Sequence, residues 1–264
     1  MTQSVYPWIT SVIFASQSVD RACAGTLITN KHVMTAAHCV RGMSVENAVI
    51  VVGARTEQDR LTNKKSPVER FIVHPEYDGR IKNDIALIEL KEGIDMTHDS
   101  VASTVCLFDF GQEEEVSSGA NDGFDEGNLF MIGWGYTPAH TNRTLTNVGG
   151  GAGNYGAGEK ENAVVGSAVL REVIVQSRED EDCVRNWGAL FDENKLCAGG
   201  CTGGTRGDGG APLLHRTRQG KVMQLGITAY GKASGECAIP DLFESVKSHS
   251  SWIRRNTQNA FYCR

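Results

Sequence analysis

The sequence has no long apolar segment, no excess of basic residues and no internal repeat. No stretch of its 264 residues approaches the roughly 18 consecutive apolar residues of a membrane-spanning helix. The net charge of -6 argues against nonspecific binding to nucleic acid, which requires a basic surface. The hydrophobic fraction of 40% and the balanced charge exclude disorder throughout the chain. The length suits one large all-β domain or two small domains.

The N-terminal segment also lacks the features of a signal peptide. Residues Met1–Val19 carry no early positive charge, and Pro7-Trp8 interrupts a short apolar run. The chain nevertheless contains eight cysteines, an even number that is compatible with four disulfides and an oxidising compartment. We therefore expect a secreted protein whose signal and pro-region are missing from this chain.

Short apolar and β-branched runs separated by turn residues indicate an antiparallel sandwich or barrel. The predicted strands are Trp8–Phe14, Gly25–Ile28, Ala48–Val52, Phe71–Val73, Ile85–Leu90, Leu129–Ile132, Val169–Val175 and Val222–Ala229. Helical periodicity occurs near the C-terminus. The segment Leu242–Asn256 places Phe243, Val246, Ser250 and Ile253 three to four residues apart, and so on one face of a helix. This spacing predicts one amphipathic C-terminal helix.

Two segments are predicted to be surface loops. Asp109–Asn128 is rich in acidic residues, glycine and serine, and Asn147–Gly166 contains seven glycines and few side chains that pack. The only N-x-S/T acceptor, Asn142-Arg143-Thr144, is a candidate glycosylation site. Such short sequons arise often by chance.

Three separated motifs carry the candidate chemistry. They are Thr35-Ala36-Ala37-His38-Cys39, Asn83-Asp84-Ile85-Ala86-Leu87 and Gly207-Asp208-Gly209-Gly210-Ala211-Pro212. In this order the motifs resemble the trypsin/chymotrypsin family of serine peptidases, whose motifs are T-A-A-H-C, N-D-I-A-L and G-D-S-G-G-P. Further matches are Pro7-Trp8, Cys23-Ala24-Gly25-Thr26-Leu27, Val73-His74-Pro75-Glu76-Tyr77, Gly133-Trp134-Gly135, Cys197-Ala198-Gly199 and Ser251-Trp252-Ile253.

The resemblance implies an all-β fold of two six-stranded antiparallel β-barrels and a C-terminal α-helix. Residues 1–264 would form a single protease-like domain, with 1–107 in the N-terminal barrel and 108–264 in the C-terminal barrel and helix. In this family His38 would be the general base, and Asp84 would orient its imidazole and stabilise the imidazolium.

The sequence departs from the family at the nucleophile. The family's serine aligns with Gly209, which has no side chain, whereas the mechanism needs an oxygen that His38 deprotonates and that forms an acyl-enzyme. Losing this nucleophile costs roughly 10⁶-fold in turnover. The backbone N–H groups of Gly207 and Gly209 would still form the family's oxyanion hole. We therefore expect an inactive homologue.

The substrate-binding residues differ as well. The residue at the floor of the family's specificity pocket aligns with Gly203, which removes the usual determinant for basic side chains. Asp241 would lie in the pocket wall or be a solvated loop carboxylate. The family's Ser-Trp-Gly segment, which pairs with substrate backbone, is Ala229-Tyr230-Gly231 here. That edge would still accept an extended peptide by strand addition.

The resemblance also implies disulfides. The family's pairs correspond to Cys23–Cys39, Cys183–Cys197 and Cys201–Cys237, although Cys201 stands earlier in its loop than the family's cysteine. Cys106 and Cys263 remain, and our hypothesis pairs them. The rival is that Cys106 bonds a missing upstream domain and Cys263 is free. With the cysteines committed and no metal-binding motif present, we expect neither a metal nor a cofactor.

Three functions remain open at the level of sequence. The first is a non-catalytic protease homologue that binds a protein or peptide, such as an active serine protease or its substrate, and regulates an extracellular protease cascade. The second is a trypsin-like serine endopeptidase whose nucleophile has been substituted. The third is a passive structural or storage domain. The motifs favour the first, because Gly209 and the altered pocket occur together.

Overall fold

The computed structural model describes residues 6–14, 21–96, 102–107, 129–138, 164–199, 208–231, 239–258 and 260–263. The strands are β1 (Ile9–Phe14), β2 (Arg21–Leu27), β3 (His32–Thr35), β4 (Ala48–Val52), β5 (Lys65–Val73), β6 (Ala86–Leu90), β7 (Cys106–Leu107), β8 (Leu129–Gly133), β9 (Tyr136–Pro138), β10 (Val164–Gly166), β11 (Arg171–Ile174), β12 (Lys195–Ala198), β13 (Pro212–Arg216), β14 (Val222–Tyr230) and β15 (Asp241–Ser245). The α-helices are α1 (Ala37–Val40), α2 (Glu57–Thr62), α3 (Asp180–Trp187) and α4 (Ser250–Asn256).

The first six strands close into a barrel in the order β1-β2-β3-β6-β5-β4. Their inward residues are mostly aliphatic, and Ile9, Leu27, Ile50 and Leu87 are fully buried. Every neighbouring pair in this barrel is antiparallel. Closure leaves no exposed sheet edge, and it gives the loops at the end of the barrel a rigid base.

The second sheet has the order β11-β8-β13-β14-β15-β12, and β7 pairs in parallel with β14. The segment that follows β11 bonds to β12, because Arg178 N–H donates to the Cys197 carbonyl over 3.1 Å and Gly199 N–H donates to the Gln176 carbonyl over 2.8 Å. These bonds bring the two ends of the sheet together. The expected pair of β-barrels is therefore confirmed.

A short helical insertion joins the two barrels on one side. Glu57 N–H at the start of α2 donates to the Ala168 carbonyl over 2.9 Å, and Leu170 N–H donates to the Arg55 carbonyl over 2.6 Å. The Arg60 guanidinium of α2 lies over the Trp134 ring, 5.4 Å from its centroid. A cation over an indole face adds attraction to this contact.

The predicted C-terminal helix is correct in kind but begins too early. Residues 242–245 belong to β15, and α4 covers only Ser250–Asn256. A short apolar run such as Leu242-Phe243 suits a buried strand as well as a helix, and pairing of β15 with both β12 and β14 decides the conformation. None of the described helices is long and apolar enough to cross a membrane.

Three disulfides lie within the described residues. They join Cys23 to Cys39, Cys183 to Cys197, and Cys106 to Cys263. The hypothesised Cys106–Cys263 pair is thus the one the structure contains, and it attaches the C-terminal tail to β7. Cys201 and Cys237 lie outside the described residues, as do Asn142 and most of both predicted surface loops.

Candidate functional site at the junction of the two barrels

His38 and Asp84 form a close pair at the end of the first barrel. Helix α1 buries Ala37, Cys39 and Val40, so His38 is its one partly exposed residue, with 35% of its side chain accessible. Asp84 precedes β6 and is fully buried. His38 Nδ1 lies 2.6 Å from Asp84 Oδ2, and the backbone N–H of His38 donates to Oδ1 over 2.8 Å.

This geometry fixes the orientation of the imidazole ring. A carboxylate only accepts hydrogen bonds, so Nδ1 carries a proton and Nε2 points away from Asp84. The second bond, from the backbone of His38 itself, prevents the carboxylate from turning. The pair has the arrangement that orients a general base in acyl transfer.

Gly209 of the second barrel lies directly beside the His38 ring. Its carbonyl accepts a hydrogen bond from Ala24 N–H over 3.0 Å, which fixes this backbone against β2. A Cβ placed on Gly209 would lie 2.6 Å from His38 Nε2, closer than real Cβ contacts occur. On its other contact, His38 Nε2 lies 3.6 Å from Cys39 Sγ. The ring therefore occupies the space that a side chain at position 209 would use.

Asp208, which precedes Gly209, is buried against the loop after β8. Its Oδ1 accepts a hydrogen bond from Gly135 N–H over 2.7 Å, and the carboxylate packs so closely on Gly133 that a side chain there would displace it. Gly210 follows with a φ of 77°, a conformation that favours glycine. These contacts hold the backbone on both sides of Gly209.

The proposed substrate-binding residues lie near the end of β14. Ala229, Tyr230 and Gly231 are half-buried, and the Tyr230 ring packs edge-on against Trp187 of α3 with 5.2 Å between centroids. Asp241 is not a solvated loop residue: it begins β15, pairs with Ala198 in register and is 4% exposed. Gly203 and Gly207 lie outside the described residues, so the pocket floor and the oxyanion hole stay predictions.

A group of three possible metal ligands lies beside the site, but two of them are joined in a disulfide. Cys23, His38 and Cys39 lie close enough to share an ion. The two sulfur atoms, however, are bonded to each other in a disulfide. A disulfide offers no thiolate, and thiolates are the form of cysteine that binds metals. Within the described residues this cluster is therefore a structural staple next to His38.

Three polar residues behind Asp84 were not anticipated from the sequence. Lys195, Glu244 and His249 are buried together, and Glu244 Oε2 accepts the backbone N–H of Asp84 over 3.1 Å. The signal available in the sequence was a lysine and a glutamate inside otherwise buried strands, Lys195-Leu196-Cys197-Ala198 and Asp241-Leu242-Phe243-Glu244-Ser245. Buried charges of this kind are almost always paired.

Burial also shifts the pKa of two side chains near the His38–Asp84 pair, Tyr77 and His74. Burial, with a further contribution from Asp84, raises the pKa of Tyr77 far above its ordinary value. Burial and the neighbouring His249 lower the pKa of His74, whose ring packs edge-on against His249 with 5.0 Å between centroids. Both groups are therefore uncharged at neutral pH, and the region around Asp84 is poorly solvated.

Comparison with known proteins agrees with the fold and the motifs. The sequence model of the Trypsin family matches residues 1–253. Phenoloxidase-activating factor 1 of Holotrichia diomphalia is 27% identical over an alignment length of 281, and the alignment covers 95% of this chain and 66% of that protein. Cathepsin G of Homo sapiens is 27% identical over an alignment length of 254, and the alignment covers 94% of this chain and 81% of that protein.

Solved structures show the same architecture. Neuropsin, a serine protease expressed in the limbic system of mouse brain, superposes with a TM-score of 0.69 over 98% of this chain and 97% of its own, at 20% identity. At this identity the likeness concerns the fold alone. The family's sequence model, in contrast, extends over nearly the whole chain and includes all three motifs that meet around His38. From this match and this architecture it follows that the chain belongs to the trypsin family of serine peptidases.

Proposed function

We propose that this protein is a non-catalytic serine protease homologue that acts by binding another protein. The observation that carries the proposal is Gly209, which supplies no oxygen at the position of the family's nucleophile. Acyl transfer needs that oxygen, and without it the remaining groups give only weak catalysis. The position of His38 Nε2, 2.6 Å from where a Cβ at residue 209 would lie, supports the proposal, because the ring fills the space of the missing group.

The proposed partner is a protein of an extracellular protease cascade, either an active serine protease or its substrate. The name of phenoloxidase-activating factor 1 describes an activating role, and that relative matches 95% of this chain. The three disulfides fit an oxidising, extracellular environment. We further propose that 1–107 and 108–264 are the two halves of one binding domain, with Asn142 as its glycosylation site.

The contact surface would include the end of β14. Ala229, Tyr230 and Gly231 leave part of this strand accessible, and an extended peptide would add to it through backbone hydrogen bonds. Asp241 and Gly203 would shape the adjoining pocket. Tyr230 and Trp187 would contribute aromatic contact area to this surface. Aromatic side chains have few rotatable bonds, so they lose little conformational entropy on binding.

Binding is tested by passing the secreted fluid of the source organism over the immobilised protein. The proposal expects saturable capture of a protease or of a protease substrate, with reduced capture by a Tyr230→Ala variant of equal stability. Capture that does not saturate, or that Tyr230→Ala leaves unchanged, counts against a partner site at β14. A complete lack of capture would favour the passive structural domain.

One observation favours a second function, a trypsin-like endopeptidase whose nucleophile was substituted. His38 and Asp84 keep the geometry of a general base and its orienting carboxylate, with 2.6 Å between Nδ1 and Oδ2. The two functions differ in the effect of Gly209→Ser. Under the proposal, this variant hydrolyses peptides no faster than the matched Gly209→Ala control. Robust hydrolysis by Gly209→Ser alone would favour the endopeptidase.

A further inference from the structure

A fully buried ion pair connects two strands of the second barrel behind the candidate site. Lys195 of β12 and Glu244 of β15 are direct partners in the antiparallel register. Lys195 Nζ lies 2.9 Å from Glu244 Oε2, and both side chains are 0% exposed. Asp192 adds a second carboxylate, 3.5 Å from the same ammonium. Burying two charges is costly unless further hydrogen bonds satisfy their remaining positions.

Glu244 obtains those further bonds from outside its own strand pair. Its Oε1 lies 2.6 Å from His249 Nε2, just before α4. Its Oε2 accepts the backbone N–H of Asp84 over 3.1 Å in addition to the lysine ammonium. A carboxylate has about four acceptor positions, so one buried side chain can hold all three donors at once.

The bond to Asp84 crosses from the second barrel to the first. A second hydrogen bond between the barrels involves the residues next to Asp84 and Lys195 in sequence: Asn194 Nδ2 donates to Asn83 Oδ1 over 3.3 Å. Asn83 has a φ of 53°, a left-handed conformation that asparagine adopts more readily than most other non-glycine residues. Glu244 and Asn194 together fix the turn at Asn83 and Asp84 through hydrogen bonds from the second barrel.

We infer that Glu244 is a positioning residue for the His38–Asp84 pair. It fixes the backbone of Asp84 from the second barrel, and Asp84 in turn fixes both the backbone and the ring of His38. The polar chain Lys195–Glu244–Asp84–His38 therefore connects the two barrels. His38 and Asp84 have a structural role in this junction that does not depend on catalysis. This inference stands whether or not the proposed binding function is correct.

Two double variants separate positioning from simple loss of the ion pair. Lys195→Met with Glu244→Gln removes both charges but keeps an oxygen that accepts the Asp84 N–H. Lys195→Met with Glu244→Leu removes both charges and the acceptor. Replacing both partners of a buried ion pair destabilises a protein far less than removing one partner. Because both variants lose the same two charges, the effect of that loss cancels when the variants are compared. Thermal unfolding of both variants checks that they are folded.

The readout is the proton resonance of the short His38 Nδ1–H to Asp84 hydrogen bond. We expect the parent protein and the double variant with Glu244→Gln to show it at low field, because Asp84 stays in place. We expect its loss in the double variant with Glu244→Leu. Retention of the resonance in that folded leucine variant would overturn the inference, because a merely structural ion pair would not act on this bond.

A measurement on the unmodified protein does not depend on the variants folding. The Asp84 amide bonds to a side chain rather than to a backbone carbonyl, so its protection reports on Glu244 directly. We expect this amide to exchange as slowly as those of strand β6. Exchange at the rate of an exposed loop amide would contradict the inference.

Discussion

At the residue scale, Gly209 leaves room for the His38 ring. Gly209 has no Cβ, and His38 Nε2 lies 2.6 Å from where that atom would be. Position 209 is not among the residues with a left-handed backbone, so its glycine is not required by conformation. Because Asp84 holds the ring through Nδ1, the ring resists displacement by an added side chain in this closely packed site.

Restoring a side chain at 209 should therefore cost stability. We expect Gly209→Ala to lower the free energy of unfolding by about 1–3 kcal/mol through overpacking against His38. Chemical denaturation measures it, and a double-mutant cycle with His38→Ala isolates the ring. Any change in the unfolded chain caused by the added methyl group appears in both arms and cancels. Equal costs with and without the His38 ring would show that the ring does not occupy this space.

His74 should make stability depend on pH. Burial and His249 hold its pKa below the ordinary 6.5, so the unfolded chain binds this proton more readily than the folded protein does. Stability is then fully present above pH 6.5 and is lost as the pH falls through the lowered pKa. His32, whose pKa is also lowered by burial, contributes in the same direction.

Urea denaturation at a series of pH values checks this dependence. We expect the midpoint to fall between about pH 7 and pH 5, before most carboxylates begin to titrate. His74→Gln should reduce the slope. A midpoint that rises as the pH falls through this range would contradict the assignment.

At the scale of elements, local pattern predicted about half of the described strands and the C-terminal helix, but not the other helices. The run Ala48–Val52 matches β4 residue for residue, because a short β-branched run flanked by turns has few alternatives. Helix α2 was missed, although Thr56 and Asp59 form a capping box at its start. The start of the C-terminal helix was wrong because long-range pairing of β15 outweighs local periodicity.

The tail after α4 is attached to β7 by the Cys106–Cys263 disulfide. Tyr262 of the tail packs against the core and its hydroxyl forms a hydrogen bond with Thr257 Oγ1, whereas Phe261 is 83% exposed. We expect the Cys106→Ser, Cys263→Ser double variant to lose about 2–4 kcal/mol of unfolding free energy.

Thermal or chemical unfolding measures this loss, and limited proteolysis should cut the tail first in the variant. Non-reducing peptide mapping of the parent protein provides the control. A Cys106 peptide linked to anything other than the Cys263 peptide, or a variant as stable as the parent, would contradict the role of this bond.

At the scale of the whole molecule, the site lies where the two barrels meet. The motifs identified His38, Asp84 and Gly209 from the sequence, because each motif is specific in its local letters. Two features required the three-dimensional fold: the position of the His38 ring and the charges behind Asp84. Lys195 and Glu244 are 49 residues apart in sequence, and Glu244 is 160 residues from Asp84, so these contacts exist only in the folded arrangement of the two barrels. No local pattern encodes such a contact.

The central claim, that this trypsin-family protein performs no acyl transfer, has a direct test. The native protein is incubated with a fluorophosphonate that labels activated serine nucleophiles, and an active serine peptidase in the same buffer serves as the positive control. With Gly209 in place of the serine, intact-mass analysis should find no label on the folded chain. One label per chain, blocked by prior unfolding, would contradict the claim.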